Sequence, residues 1–108
     1  MSDIETDGSR YYLLRAKTPV PCTISEWLEN FGNIEPVARE TIGTLTVSTV
    51  FLGMNHHWRN DDAPLLFETM IFDESVSGRR WRYSTYEEAE KMHRQIADAI
   101  RRNCAVPD

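Results

Sequence analysis

A chain of 108 residues is long enough for one domain and too short for two. Hydrophobic content of 41% and charged content of 27% are ordinary globular values, and a net charge of −5 argues against general nucleic-acid binding, which needs a basic footprint. Two cysteines are too few for a secreted disulfide scaffold, and no apolar run approaches the roughly 18–20 residues of a membrane span.

The N-terminus carries Asp3, Glu5 and Asp7, the opposite of a basic, then apolar signal peptide, so a cytoplasmic protein is expected. Residues 1–9 read as a flexible acidic tail, 10–102 as one domain and 103–108 as a C-terminal tail. Tyr11–Arg15 (YYLLR) reads as a strand, after which Pro19 and Pro21 are expected to break regular structure. Cys22 and Cys104 read as reduced thiols, the alternative being one disulfide that ties the tail down.

Thr23-Ile24-Ser25-Glu26 fits a capping box, and Ile24, Trp27, Leu28 and Phe31 follow at helical spacing, so a two-turn helix is predicted over Ile24–Phe31 and ended by Gly32. So short a helix needs packing, expected on the sheet through Trp27 and Phe31. Val37–Thr41 and Thr44–Leu52 read as strands joined across Ile42-Gly43, with Leu45, Val47, Thr49 and Phe51 sharing one face of the second. An irregular stretch, 53–64, precedes a strand over Leu65–Phe72. A turn region and a short strand, Arg80–Tyr83, follow. The closing helix runs from about Thr85 to Arg101, with two overlapping capping boxes, Ser84–Glu87 and Thr85–Glu88. Its apolar stripe is Ala89, Met92 or His93, Ile96 and Ile100.

The order is β-α-β-β-β-β-α: an α+β, two-layer fold in which an antiparallel β-meander carries a short N-terminal helix and a longer C-terminal helix on one face. The place of the first strand stays open.

The stretches VSTVFLG (47–53), LLFETMIF (65–72) and RYSTYEEAEKMH (82–93), in that order, resemble a family of small uncharacterised proteins encoded by bacteriophages and prophages. The similarity covers roughly residues 11–100. It implies a phage-borne accessory protein in the cytoplasm of a bacterial host, and no chemistry.

Three sets of residues are candidates for function. The loop His56, His57, Trp58, Arg59, Asp61, Asp62 is long for a compact domain and carries hot-spot side chains. It reads as a plain hairpin loop with Trp58 folded back, as a partner-binding loop, or least favourably as a metal site, since adjacent histidines splay apart. Ser48, Thr49, Glu68, Arg82 and His93 form a polar set within the strands. A Glu68–Arg82 cross-strand ion pair is its simplest reading, ahead of a small-molecule pocket or acid–base catalysis by Glu68 and His93. His93 by itself reads as a core histidine with a satisfied ring nitrogen.

Charge is uneven: residues 1–78 balance at −7 and 79–102 at +3. Basic residues late in a helix suit its dipole, and the same segment is where an anion could be held. No nucleophile elbow, phosphate loop or dinucleotide fingerprint appears. The leading expectation is a non-enzymatic inhibitor of host defence, of the anti-CRISPR kind, that contacts a host protein or ribonucleoprotein complex. It would use no cofactor or metal, and would touch neither nucleic acid directly nor membrane. Its acidic face would be Glu26, Glu29, Glu35, Glu40, Asp61 and Asp62. The alternative is a nucleotide-binding or sponge protein using Glu68, Arg79, Arg80, Trp81, Arg82 and Tyr83, since arginines fork onto phosphates and aromatics stack on bases. A homodimer through a free strand edge is left open.

Overall fold

The structure is a computed structural model and describes residues 10–30, 36–55, 63–73 and 77–107. In chain order the elements are β1 (Tyr11–Arg15), β2 (Thr18–Cys22), α1 (Ile24–Asn30), β3 (Ala38–Ile42), β4 (Leu45–Phe51), β5 (Phe67–Phe72), β6 (Ser77–Tyr83) and α2 (Tyr86–Arg101). The fold is α+β. A four-stranded antiparallel meander, β3-β4-β5-β6, is accompanied by a separate two-stranded ribbon, β1-β2. No helix among the described residues is long and apolar enough to cross a membrane.

The strand over Thr18–Cys22 corrects the expectation that Pro19 and Pro21 break structure. The turn Ala16-Lys17 closes the ribbon on the pair Arg15↔Thr18, and Leu14↔Pro19 and Tyr12↔Pro21 then alternate with Leu13↔Val20. In a two-residue hairpin the closing pair and every second pair after it exchange backbone bonds. The prolines therefore fall at positions whose nitrogens point away from β1, where a strand tolerates them. The other edge of β1 is also paired: Tyr12 N donates to Gly53 O and Asn55 N to Arg10 O, both at 2.8 Å. The first strand thus lies beside the segment that leaves β4, through an isolated bridge Tyr11↔Met54.

The capping box at Thr23–Glu26 forms in both directions, with Thr23 N donating to Glu26 Oε1 at 2.9 Å and Glu26 N to Thr23 Oγ1 at 3.1 Å. The apolar face expected of α1 is only partly used. Trp27 is buried, whereas Ile24 and Leu28 are 49% and 58% exposed. The reason is where the helix lies: it contacts β1, not the face of the large sheet. Trp27 packs against Tyr11 with the rings tilted and 5.3 Å apart, and its indole N–H points to Leu52 O. Gly53 sits beneath that indole with φ +74°, and a Cβ there would meet Trp27 Nε1 at 2.6 Å and Tyr12 O at 2.9 Å. Phe31 and Gly32 lie outside the described residues.

The β3–β4 turn is Gly43-Thr44, one residue later than expected, with Ile42↔Leu45 as its closing pair and Gly43 at φ +64°. β6 begins three residues earlier than Arg80, and a register shift between Met70 and Phe72 marks a bulge near its start. Of the two possible starts for α2, Thr85 is the cap. Its hydroxyl accepts from Glu88 N at 3.1 Å and Glu88 Oε1 accepts from Thr85 N at 3.2 Å.

α2 lies across all four strands of the meander. Its buried residues Ala89, His93, Ile96 and Ala97 pack over Val47, Phe51, Phe67, Trp81 and Tyr83. Of the two stripe candidates, His93 takes the inward place and Met92 is half-buried. Phe67 is wholly buried and carries ring contacts to Phe51 at 5.1 Å and Tyr86 at 5.9 Å.

Candidate functional site

Strand alternation sorts the polar residues onto two faces. Val47, Thr49 and Phe51 of β4 face α2, and so do their cross-strand partners Ile71, Thr69 and Phe67 on β5. Ser48, Val50, Glu68, Met70, Phe72, Arg80 and Arg82 point the other way, where no described helix lies.

Under the helix runs a chain of polar side chains. Thr69 Oγ1 and Thr49 Oγ1 are 2.6 Å apart, Thr49 Oγ1 is 2.7 Å from His93 Nδ1, and His93 Nε2 is 3.0 Å from Glu40 Oε2. Arg101 closes the chain with an ion pair to Glu40. One tautomer satisfies every link: Thr69 donates to Thr49, Thr49 donates to Nδ1, and the Nε2–H donates to the Glu40 carboxylate. Burial of the ring holds the His93 pKa below its ordinary value of 6.5, which favours that neutral form. Burial likewise raises the pKa of Tyr83, opposed by the Thr69 side chain and reinforced by Glu88. The Tyr83 hydroxyl has no well-aligned hydrogen-bond partner among the described residues.

The arrangement has the parts of a Glu–His–hydroxyl relay but not its access. Thr49 and Thr69 have no exposed surface and His93 is 2% exposed, so no solvent-borne substrate reaches the hydroxyl. This polar chain stiffens the core. Glu68 and His93 stand on opposite faces of the sheet, which separates that pair as acid and base.

On the open face, Glu68 pairs across the strands with Arg82 as expected: Arg82 Nε donates to Glu68 Oε2 at 3.1 Å, with Arg80 at 3.9 Å. Arg39 enters from β3 and lies 5.9 Å from the ring of Phe72. Among the described residues, three arginines and the buried carboxylate of Glu68 therefore surround the partly buried Val50, Met70 and Phe72.

The set Glu68, Arg79, Arg80, Trp81, Arg82, Tyr83 does not converge. Glu68, Arg80 and Arg82 lie on the open face, while Trp81 and Tyr83 are buried under α2. Arg79 stacks on Trp81 at 4.9 Å, and both donate to Pro107 O at 3.1 Å. The aromatics that would stack a base are thus covered, and the arginines divide between two surfaces.

The loop residues His56, His57, Trp58, Arg59, Asp61 and Asp62 lie outside the described residues, as does Glu35. The loop's ends are drawn together: Leu65 N donates to Asn55 Oδ1 at 3.2 Å and Arg10 to Asn55 O at 2.9 Å. The expected acidic face disperses, because Glu26 is held in the α1 cap and Glu40 is bound by His93 and Arg101. Among the described residues no group of three or more His, Cys, Asp or Glu could hold a metal ion, and Cys22 and Cys104 are free thiols. Glu40 is the partner that sequence reasoning missed; its only signal was alternation along β3, which points it inward between exposed Arg39 and Thr41.

Comparison with protein-family models, with curated proteins and with solved structures finds no match.

Proposed function

We propose that this chain is a non-enzymatic binding protein that docks a partner protein on the open face of its sheet. The observation behind this reading is the pattern of that face: Val50, Met70 and Phe72, partly buried, lie among Arg39, Arg80 and Arg82. An apolar patch rimmed by polar groups is a common mark of an interaction site, and arginine and aromatic residues dominate binding hot spots. With three cations against one carboxylate, the face suits a partner surface rich in Asp and Glu. Two copies meeting face to face would set arginine against arginine, which favours a foreign partner.

The resemblance of VSTVFLG, LLFETMIF and RYSTYEEAEKMH supports a phage- or prophage-borne origin. On that reading the partner is a complex of the bacterial host, and the protein inhibits a defence system by contact, in the manner of an anti-CRISPR protein.

A pull-down from host lysate with three variants tests this. Met70→Ser and Arg39→Glu/Arg80→Gln, which leave the Glu68–Arg82 pair in place, should lose the captured complex while keeping native circular dichroism. Trp58→Ala with Asp61→Ala/Asp62→Ala asks whether residues 56–62 contribute. Capture undiminished in both open-face variants would remove that face from the reading.

A further inference from the structure

A half-open cleft of about 510 Å³ lies between the tip of the β1–β2 ribbon, the end of α1, the start of β3 and the first turn of α2. It shares no residue with the open sheet face. Leu14, Val37, Phe51 and the ring of Tyr86 give it an apolar side, and polar groups, Asn30 among them, share its lining. Its rim carries Arg15 and Lys17, both exposed, and no Asp or Glu is among the described lining residues. In a chain with 17 acidic side chains that is a local reversal of charge. The nearby Glu88 is turned away, its carboxylate held by the backbone N–H groups of Ser84 and Thr85.

The rim also holds the one strained turn among the described residues. Ala16 (φ 48°) and Lys17 (φ 75°) occupy left-handed positions that glycine or asparagine ordinarily fills. A two-residue hairpin demands this conformation at both positions, and here residues with side chains meet the demand. The turn places the Lys17 ammonium 5.3 Å from the centre of the Tyr86 ring, at the cleft's mouth.

We propose that this cleft binds a small amphipathic carboxylate: an aliphatic or aromatic acid whose apolar body lies against Leu14, Val37 and Tyr86 and whose carboxylate meets Arg15 and Lys17. The volume falls within the roughly 300–1,000 Å³ typical of small-molecule sites. An anion brought there gains charge-assisted hydrogen bonds from two cations that no carboxylate among the described lining residues neutralises.

Titration of the ¹⁵N-labelled full chain with octanoate, followed by two-dimensional NMR, tests the proposal. The expected result is saturable shifts confined to Leu13, Leu14, Val37 and Tyr86. Binding should weaken by at least about tenfold in Arg15→Gln/Lys17→Gln, and measurably in the milder Arg15→Gln alone. Octanol should bind more weakly than octanoate, and Arg102→Gln, exposed at the far end of α2, should bind octanoate like the wild type. No saturable shift at several millimolar octanoate would overturn the proposal. So would equal binding of octanol, or undiminished binding by the rim variants.

Discussion

Replacing Thr49 by valine keeps the shape of a side chain with no exposed surface and removes one hydroxyl. That hydroxyl serves two neighbours, Thr69 Oγ1 at 2.6 Å and His93 Nδ1 at 2.7 Å, so both lose a partner in a place water does not reach. A buried polar group left unsatisfied costs about 1–3 kcal/mol, which puts Thr49→Val at about 2–4 kcal/mol once Thr69 is allowed to turn its hydroxyl elsewhere. A domain of this size loses about 4–8 °C of melting temperature per kcal/mol, so a fall of about 10–25 °C is expected. Thr69→Val alone should cost less, about 1 kcal/mol, because Thr49 keeps its bond to the imidazole. The double variant should cost less than the sum, since removing both hydroxyls leaves no threonine donor stranded. Urea unfolding at pH 7.5 with matched m-values measures all three. A Thr49→Val cost below about 0.5 kcal/mol, or strict additivity across the cycle, would refute the hydrogen-bonded chain as a structural device.

The same chain makes stability depend on pH. Burial holds the folded-state pKa of His93 below 6.5, so above that pH both folded and unfolded states carry a neutral ring. As pH falls through 6.5 the unfolded state takes up a proton that the folded state refuses, so stability should drop by up to about 1.4 kcal/mol per pH unit. His93→Gln should flatten that slope between pH 7.5 and 6, measured by denaturant melts across the range. Glu68→Gln should cost about 1 kcal/mol, well under the 3–5 of a wholly buried pair, because the Arg82 side chain is 33% exposed. Gly43→Ala, with open space around its Cβ, should cost about 1–2 kcal/mol for its left-handed backbone; Gly53→Ala should cost about 3 or more, since overpacking against Trp27 adds to the same penalty. Thermal melts compare the two, and equal costs would show that the indole gives way.

Local chemistry was well signalled in the sequence. The capping boxes at Thr23 and Thr85, the inward alternation of Val47, Thr49 and Phe51, and the Glu68–Arg82 pair each follow from spacing within one element or across one hairpin. What depended on the path of the chain between elements was not signalled. The prolines of β2 read as breakers because nothing nearby says that their nitrogens will face outward. Ile24 and Leu28 read as core because helical spacing cannot tell whether a helix lies on a broad sheet or on a narrow ribbon that covers one tryptophan. Glu40 meets His93 across 53 residues, a contact that only the meander and α2 together create. The candidate binding face was half visible: Glu68 and Arg82 were paired in advance, but the opposite placement of Trp81 and Tyr83 needed the strand's facing to be known.

Pro19 and Pro21 have a consequence for how this protein behaves in a crowd of its own kind. Both outward positions of β2 lack an N–H, so the free side of the ribbon offers carbonyl groups and no donors between Thr18 and Cys22. A further strand laid along it would find half of its ladder missing. That edge resists fibre growth and strand exchange, and among the described residues the outer strands of the meander are the edges left to association of this kind.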